Sequence, residues 1–396
     1  MKENSVLLDH HLAQTTMFPF ALEIVHASGV WITDRSGKKY MDLISGVGVS
    51  NLGHGNTYIN DAIKAQVDRF THVMVYGEYV QQSQIDAARE LTSLLPDSLD
   101  CCYFVNSGAE ANEAALKLAK RITGRTQMIS CVGAYHGNTH GSMSVSWNET
   151  KKAAFRPLLP GVSFIRFNVM EDLALITSDI ACVMMETIQG DAGIRIPDQD
   201  YMLALRKRCD ETGTQLIFDE IQCGLGRAGS NFAFEQFNII PDILTLGKAL
   251  GGGMPVGCLV SSKDKMKLFT ANPMLGHIST FAGHPVVCAA VAANIQFMKL
   301  NHVVTDVHRK GKIFASKIGA HPKVKDIRHR GLFFAIDLSS AEEVQQVVDY
   351  CMSKGVITFW FLSCPDSFRI APPLTISDAE IDLACNIILE GLSALS

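Results

Sequence analysis

The stretch DILTLGKALGGG, residues 242–253, ends an apolar run in a single lysine, Lys248, and follows it almost at once with three glycines. A lone amine at the end of a strand suits a nucleophile that adds to a carbonyl cofactor and is later exchanged for a substrate amine. The glycines would let backbone approach a flat ring and let the lysine stem bend back. The plainer alternative is an exposed lysine ahead of a helix.

Four other stretches bear on that choice. LIFDE (216–220) ends an apolar strand in Asp219, with Gln222 one short turn later. A carboxylate at the end of a sheet strand is costly unless it meets a cation, and a protonated pyridine nitrogen is such a cation. An N-cap or an ordinary salt bridge is the alternative for Asp219. VNSGAEANEAALKLAKRITG (105–124) reads as strand, tight turn and helix, with Ser107, Gly108 and Ala109 at the helix start. Free N–H groups and the helix dipole there hold a phosphate well, and plain capping by Ser107 is compatible with that role. Tyr135 in GAYHG (133–137) follows a strand between glycines and is placed to stack on a planar ring, or to fill the core. Arg369 in FRIAPPL (368–374) sits in an apolar setting, where an arginine wants a bidentate carboxylate or an internal ion pair.

Around these stretches the chain alternates short apolar runs with helical periodicity. CCYFVN, QMISCV, IACVMMET, QLIFDE, DILTLG, GLFFAIDL and VITFWF read as strands. NDAIKAQVDRFT, QSQIDAARELTSLLP (stopped by Pro96), YMLALRKRCDETG, VVCAAVAANIQFMKLN, AEEVQQVVDYCMSKG and DAEIDLACNIILEGLSAL read as helices. Such alternation predicts an α/β fold with a mainly parallel central sheet wrapped by helices. Residues 1–50, with two apolar runs split by Ser28-Gly29 and Asp34–Gly37, read as an arm of strands and turns belonging to a smaller domain. Residues 51–295 form the expected large domain and 296–396 the carboxyl-terminal small domain, α+β in character.

Composition narrows the class. With 47% hydrophobic and 19% charged residues the chain can bury a large core, and disorder is not expected. A net charge of −5 without a basic stripe argues against a nucleic-acid partner. The eleven cysteines are an odd number with no C-x-x-C, which reads as reduced thiols in a cytoplasmic protein. The start, MKENSVLLDHHLAQ, lacks the apolar core of a signal peptide, and no apolar run is long enough to span a bilayer. GVGVSN (46–51) ends in Asn51 where a dinucleotide motif needs glycine, and Ala249 follows Lys248 where a P-loop needs Ser or Thr. His136 and His140 have a zinc-like spacing but no glutamate after the first histidine, so no metal is expected.

Taken together, NSGAEANEAALKLAK, YHGNT, ETIQGDAGI, LIFDEIQCGLGRAG, PDILTLGKALGGGMPVG and STFAGHP resemble the running pattern of class III aminotransferases, pyridoxal 5'-phosphate enzymes of fold type I, nearly end to end. The resemblance implies that Lys248 carries the cofactor and moves the proton. It implies that Asp219 pairs with the pyridine nitrogen, Gln222 with the ring hydroxyl, and Ser107, Gly108 and Ala109 with the phosphate. Tyr135 would cover the ring and Glu186 lie close to cofactor and substrate. Thr280 would reach the phosphate of a neighbouring subunit, implying a homodimer with shared sites. Arg369 would bind the carboxylate of 2-oxoglutarate or glutamate. The implied partners are a small-molecule amino donor and an oxo-acid acceptor, with an acetylornithine- or ornithine-type donor as the first expectation. 4-Aminobutyrate, diamine and β-amino acid donors, or an aminomutase on the same fold, are the alternatives; a non-enzymatic homologue is disfavoured by the joint presence of Lys248, Asp219 and the Ser107 turn. Two positions depart from the pattern. Asn138 stands where related branches carry the arginine of HGRT, and Asp191 where they carry the glutamate that masks the carboxylate-binding arginine.

Overall fold

A computed structural model describes residues 11–17 and 19–395; residues 1–10, read above for a leader, lie outside it. Near the amino end, β1 (Ile24–Ser28), β2 (Trp31–Asp34) and β3 (Lys39–Asp42) form an antiparallel meander. The turn between β2 and β3 is closed by Asp34, whose Oδ1 accepts from Ser36 N at 2.8 Å and Lys38 N at 3.1 Å. A short acidic side chain bonding its own downstream backbone is why an Asp-x-Ser-Gly run turns rather than extends.

The central sheet has seven strands: β4 (Cys101–Val105), β5 (Gln127–Cys131), β6 (Val162–Ile165), β7 (Ile180–Glu186), β8 (Gln215–Asp219), β9 (Ile243–Gly247) and β10 (Gly257–Ser261). Their spatial order is β4-β10-β9-β8-β7-β5-β6. All neighbours from β9 to β6 pair in parallel, and β10 alone runs against both β4 and β9. β7, β8 and β9 are buried at every position, as continuous apolar strands covered on both faces must be. The helix Gly108–Thr123 crosses from β4 to β5, and the helix Gln199–Thr212, ended by left-handed Gly213 at φ 66°, links β7 to β8. This is the mainly parallel, helix-flanked sheet of fold type I.

β10 was not anticipated, and it corrects the reading of the glycines. The segment between β9 and β10 must reverse the chain, and Gly252 (φ 56°) and Gly253 (φ 105°) take left-handed backbone to do so. A Cβ on Gly252 would lie 2.8 Å from Ile59 Cδ1, so that glycine also permits close packing. Turn geometry accounts for Gly252 and Gly253, with packing an added reason at Gly252, and neither lines the cavity that Lys248 enters.

A second antiparallel sheet is built from β11 (Asp326–Arg330), β12 (Phe333–Asp337), β14 (Phe359–Trp360) and β15 (Ser367–Ile370), in the order β11-β12-β15-β14. VITFWF is therefore not one strand. Its first half, β13 (Val356–Ile357), pairs in parallel with β3, and its second half is β14, split off at the buried Thr358. The β3–β13 pairing joins the amino-terminal meander to the carboxyl-terminal region. The helix of QSQIDAARELTSLLP ends at Thr92, ahead of Pro96. The helix Pro285–Leu300 runs unbroken through residue 295 with Pro285 in its first turn, where proline sacrifices no hydrogen bond. Among the described residues no single helix is long and apolar enough to cross a membrane.

Arg227 ties these parts together. It is fully buried, and its guanidinium donates to Leu332 O at 2.9 Å, Pro372 O at 2.6 Å and Asn51 Oδ1 at 2.5 Å. Those three acceptors belong to three separate segments. Arg227→Ala should cost about 2–4 kcal/mol by leaving acceptors unpaired around a cavity, read as a lower denaturant midpoint of the apoprotein.

Candidate active site

In a parallel sheet, side chains that follow the carboxyl ends of neighbouring strands gather at one edge. Five strands deliver there. β4 leads into Ser107, β5 into Tyr135 and His136, β7 ends at Glu186, β8 at Asp219, and β9 runs directly into Lys248. The β7–β8 register places Glu186 opposite Asp219. Between these ends lies a cavity of about 220 Å³, lined among others by Gly108, Ala109, Tyr135, Asn138, Gln222 and Lys248, with Glu186 and Asp219 at its wall.

Asp219 is 5% exposed and held on both oxygens. Oδ2 accepts from Asn112 Nδ2 at 2.9 Å and lies 2.8 Å from His136 Nδ1; a carboxylate only accepts, so that nitrogen carries the hydrogen. Oδ1 accepts from Ile221 N at 3.0 Å. Asn112 also donates to His136 O at 2.7 Å, and Ser146 Oγ accepts from His136 N at 2.9 Å. The acid is neither an N-cap nor half of a surface salt bridge; it is aimed by a buried network. His136 and Asn112 were missed as site residues. His136 lies 83 positions from its partner in the chain, and its zinc-like spacing to His140 was the one local signal it gave. His140 is exposed and, among the described residues, no group of three His, Cys, Asp or Glu is arranged for a metal.

Lys248 has φ 43°, a left-handed conformation rare for a residue with a Cβ and sustained only where the surroundings over-determine it. Its ammonium has no hydrogen-bond or ion-pair partner among the described residues. Burial pulls its pKa below the ordinary lysine value, against the opposing fields of Asp219 and Glu186. The result is an amine closer to its free-base form, without a competing bond to break. Glu186, 5% exposed, accepts from Tyr135 N at 3.1 Å and Gly190 N at 2.7 Å, yet burial lifts its carboxyl to about 7.

Where the helix start meets the cavity, Ser107 Oγ caps its helix by accepting from Glu110 N at 3.2 Å, and Glu110 Oε2 accepts from Asn106 N at 2.9 Å. Ser107 O accepts from Ala111 N at 3.1 Å, the first bond of the helix ladder. The N–H groups of Gly108 and Ala109 lie ahead of that ladder, where the helix dipole is positive. The approach is tight: a Cβ on Gly108 would sit 2.7 Å from Ile221 Cδ1, and one on Gly247 3.3 Å from Gly108 Cα. Gly108 and Gly247 together bring the helix start against the lysine-bearing strand.

Tyr135 is 37% exposed at the mouth, not a core tyrosine. Arg369, 6% exposed on β15, does not itself line this cavity, but its charge acts on Lys248; its Nη2 lies 3.6 Å from Asp191 Oδ1, its Cζ stands 4.4 Å over the Phe361 ring, and its Nε has no partner among the described residues. Burial lowers its pKa, opposed by Asp191. Asn138 lines the cavity from an exposed position. Thr280 is exposed on the loop before Pro285 and is not among the residues lining this cavity.

Over residues 13–392 the sequence matches the family described as Aminotransferase class-III. The chain is a class-III aminotransferase. The acetylornithine aminotransferase of Methanopyrus kandleri is 34% identical to it over 398 residues, covering 100% of both chains. A LysW-aminoadipate semialdehyde/glutamate semialdehyde transaminase of Sulfolobus acidocaldarius is 36% identical, over 94% of this chain and 95% of that one. Among solved structures, the ornithine aminotransferase of Toxoplasma gondii superposes with a TM-score of 0.91 at 27% identity, covering 99% of this chain and 94% of its own. The aminotransferase is accordingly pyridoxal-phosphate-dependent and moves an amino group between a small-molecule donor and an oxo acid.

A buried amine whose pKa is lowered, with no partner among the described residues, is favoured over exposed lysines in reaction with an aldehyde. Treating the apoprotein with pyridoxal phosphate and then borohydride near neutral pH should label the peptide containing Lys248 first, by mass spectrometry. Labelling spread evenly over exposed lysines would contradict the lowered pKa.

Proposed function

We propose that this aminotransferase takes an ω-amino donor of the acetylornithine or ornithine type and passes the amino group to 2-oxoglutarate. The observation that carries the reading is Arg369: a buried guanidinium whose charge reaches Lys248, with an Nε unpartnered among the described residues and an acid at 3.6 Å, beyond hydrogen-bond range. An enzyme whose donor reacts through a terminal amine, and whose acceptor carries a carboxylate beside the reacting carbon, needs such a port, and needs it masked for one substrate. The relatives named acetylornithine aminotransferase support the donor class.

The residues present suit pyridoxal phosphate. Lys248 offers an amine without a competing partner, Asp219 a carboxylate fixed by His136 and Asn112, and Gly108 and Ala109 their N–H groups at a helix start. When bound, the cofactor supplies an electron sink for charge developing on the donor carbon. In this reading Asp219 would pair with the pyridine nitrogen, Gln222 would hold the ring hydroxyl and Ser107 would shape the phosphate turn. Tyr135 would cover the ring face, and Glu186, its carboxyl lifted to about 7 by burial, would line the substrate side. Lys248 Nζ takes the proton from the amine-bearing carbon of the donor. Asn138 offers an amide, both donor and acceptor, to the far end of that substrate. Asp191 masks Arg369 while the donor is bound.

The reading extends to a homodimer working in the cytoplasm. An apolar groove of about 690 Å³ is lined by Tyr76, Ile85, Tyr103, Phe269, Met274 and Ile278, and the flanking Val80 and Phe281 are 92% and 55% exposed. Exposed apolar surface on this scale fits a partner copy, and Thr280, on the same loop as Phe281, would reach the partner's phosphate site. A large domain (51–295) and a small domain formed by 1–50 and 296–396 complete the proposal.

Half-reactions followed by cofactor absorbance test the chemistry. Acetylornithine or ornithine should give the highest kcat/KM among amines that include 4-aminobutyrate, a diamine and β-alanine, with 2-oxoglutarate ahead of pyruvate as acceptor. A different ranking reassigns the substrate, and a cofactor that returns to its starting form without an oxo acid points to an aminomutase. Asp219→Asn should lower kcat by about 10²–10³-fold with the fold intact, since it removes a preorganised charge. Met274→Lys with Phe281→Asp should shift the protein from dimer to monomer in sedimentation velocity.

A further inference from the structure

Asp191 is not the partner of Arg369 alone. Its Oδ1 stands 3.6 Å from Arg369 Nη2 and its Oδ2 stands 3.7 Å from Lys151 Nζ, so two cations flank one carboxylate at nearly equal range. Neither contact is short enough to be a hydrogen bond. The hydrogen bonds come from a third direction: Ser363 Oγ donates to Oδ2 at 2.7 Å and Leu362 N to Oδ1 at 3.3 Å. The carboxylate is pinned by the 362–363 segment and shared between the two cations.

The cations differ in kind. Arg369 is buried against Phe361, while the Lys151 side chain is 39% exposed, on the short helix Glu149–Lys152. Lys151 lines a cleft beside the cavity together with Tyr135, Asn138, Asn148, Asp191 and Ser363. Asn148 Nδ2 reaches Ser363 Oγ at 3.4 Å, so the segment bearing the lysine also contacts the hydroxyl that pins Asp191.

A carboxylate with an 11% exposed side chain does not surrender a counter-charge cheaply. When a substrate carboxylate takes Arg369, the Asp191 charge is stable only with another cation at hand, and Lys151 stands there. We propose that Lys151 is a positioning residue for substrate choice. It retains Asp191 while Arg369 holds the carboxylate of an oxo acid, and yields it toward Arg369 when an amine donor fills the cleft. Sequence spacing gave no sign of this, because Asp191 and Lys151 meet only through the fold. The inference rests on the reading of Arg369 as the carboxylate port.

The test uses the holoenzyme and three variants, Lys151→Met, Lys151→Arg and Arg369→Met. The two half-reactions are measured separately, and the binding of glutarate, an unreactive dicarboxylate, is measured by calorimetry. Losing a partly exposed counter-ion should raise the KM for 2-oxoglutarate and the Kd for glutarate about fivefold in Lys151→Met, with kcat and the KM for the amine donor nearly unchanged. Lys151→Arg should restore both. Unchanged glutarate affinity in Lys151→Met, or an equal rise in KM for both substrates, overturns the role of the lysine. Unchanged glutarate affinity in Arg369→Met overturns instead the carboxylate-port reading beneath it.

Discussion

The carboxylate at the end of β8 is the constraint around which the site is organised. Asp219 emerges from a fully buried strand, where an unpartnered charge would be costly, and the fold answers with three donors: the Asn112 amide, the His136 ring and the Ile221 N–H. Each donor comes from a different place. Asn112 lies in the first turns of the helix that starts at Gly108, His136 in the loop after β5, and Ile221 in the turn after β8 itself. Satisfying one acid thus sets the helix, the loop and the strand end in mutual register. The same arrangement brings the helix start, with its unspent N–H groups, to the cavity wall.

Lys248 is the counterpart of that acid. β9 lies beside β8 in parallel, so its end comes out at the same edge, and the chain then reverses into β10. The reversal holds Lys248 in left-handed backbone, with its buried amine lining the cavity and without a partner among the described residues. Acid and amine are therefore treated in opposite ways by one environment. The acid is held by three donors, and the amine is desolvated so that its charge is disfavoured. This division suits an acid that must remain an anion and an amine that must become a nucleophile. At the mouth the balance is looser. Asp191 lies between a buried and an exposed cation, bonded fully to neither, and a charge so placed can follow whichever substrate enters.

Much of this was legible in the primary structure, for physical reasons. Strands buried on both faces must be apolar throughout, so β7, β8 and β9 announced a parallel sheet. A capping serine ahead of a helical period marked the turn at Ser107, and polar residues ending apolar runs marked Asp219 and Lys248. β10 escaped notice because GCLVS is short and its neighbours are turn residues. VITFWF was read as one strand because a continuous apolar run carries no mark of where the chain leaves one sheet for another. The glycines after Lys248 are not among the cavity's lining residues, and a requirement for left-handed backbone and a requirement for close approach look identical in sequence.

What the sequence determined by itself was the kind of chemistry: the residue types, their positions at strand and helix ends, and the family pattern they compose are local properties of the chain. What only the tertiary structure decided was which groups act on one another. His136 with Asp219, Arg369 with Asp191, and Asp191 with Lys151 are separated by tens to hundreds of residues and carry no shared periodicity. Their distances follow from strand order, register and packing, and electrostatic energy depends on distance and burial, not on position along the chain.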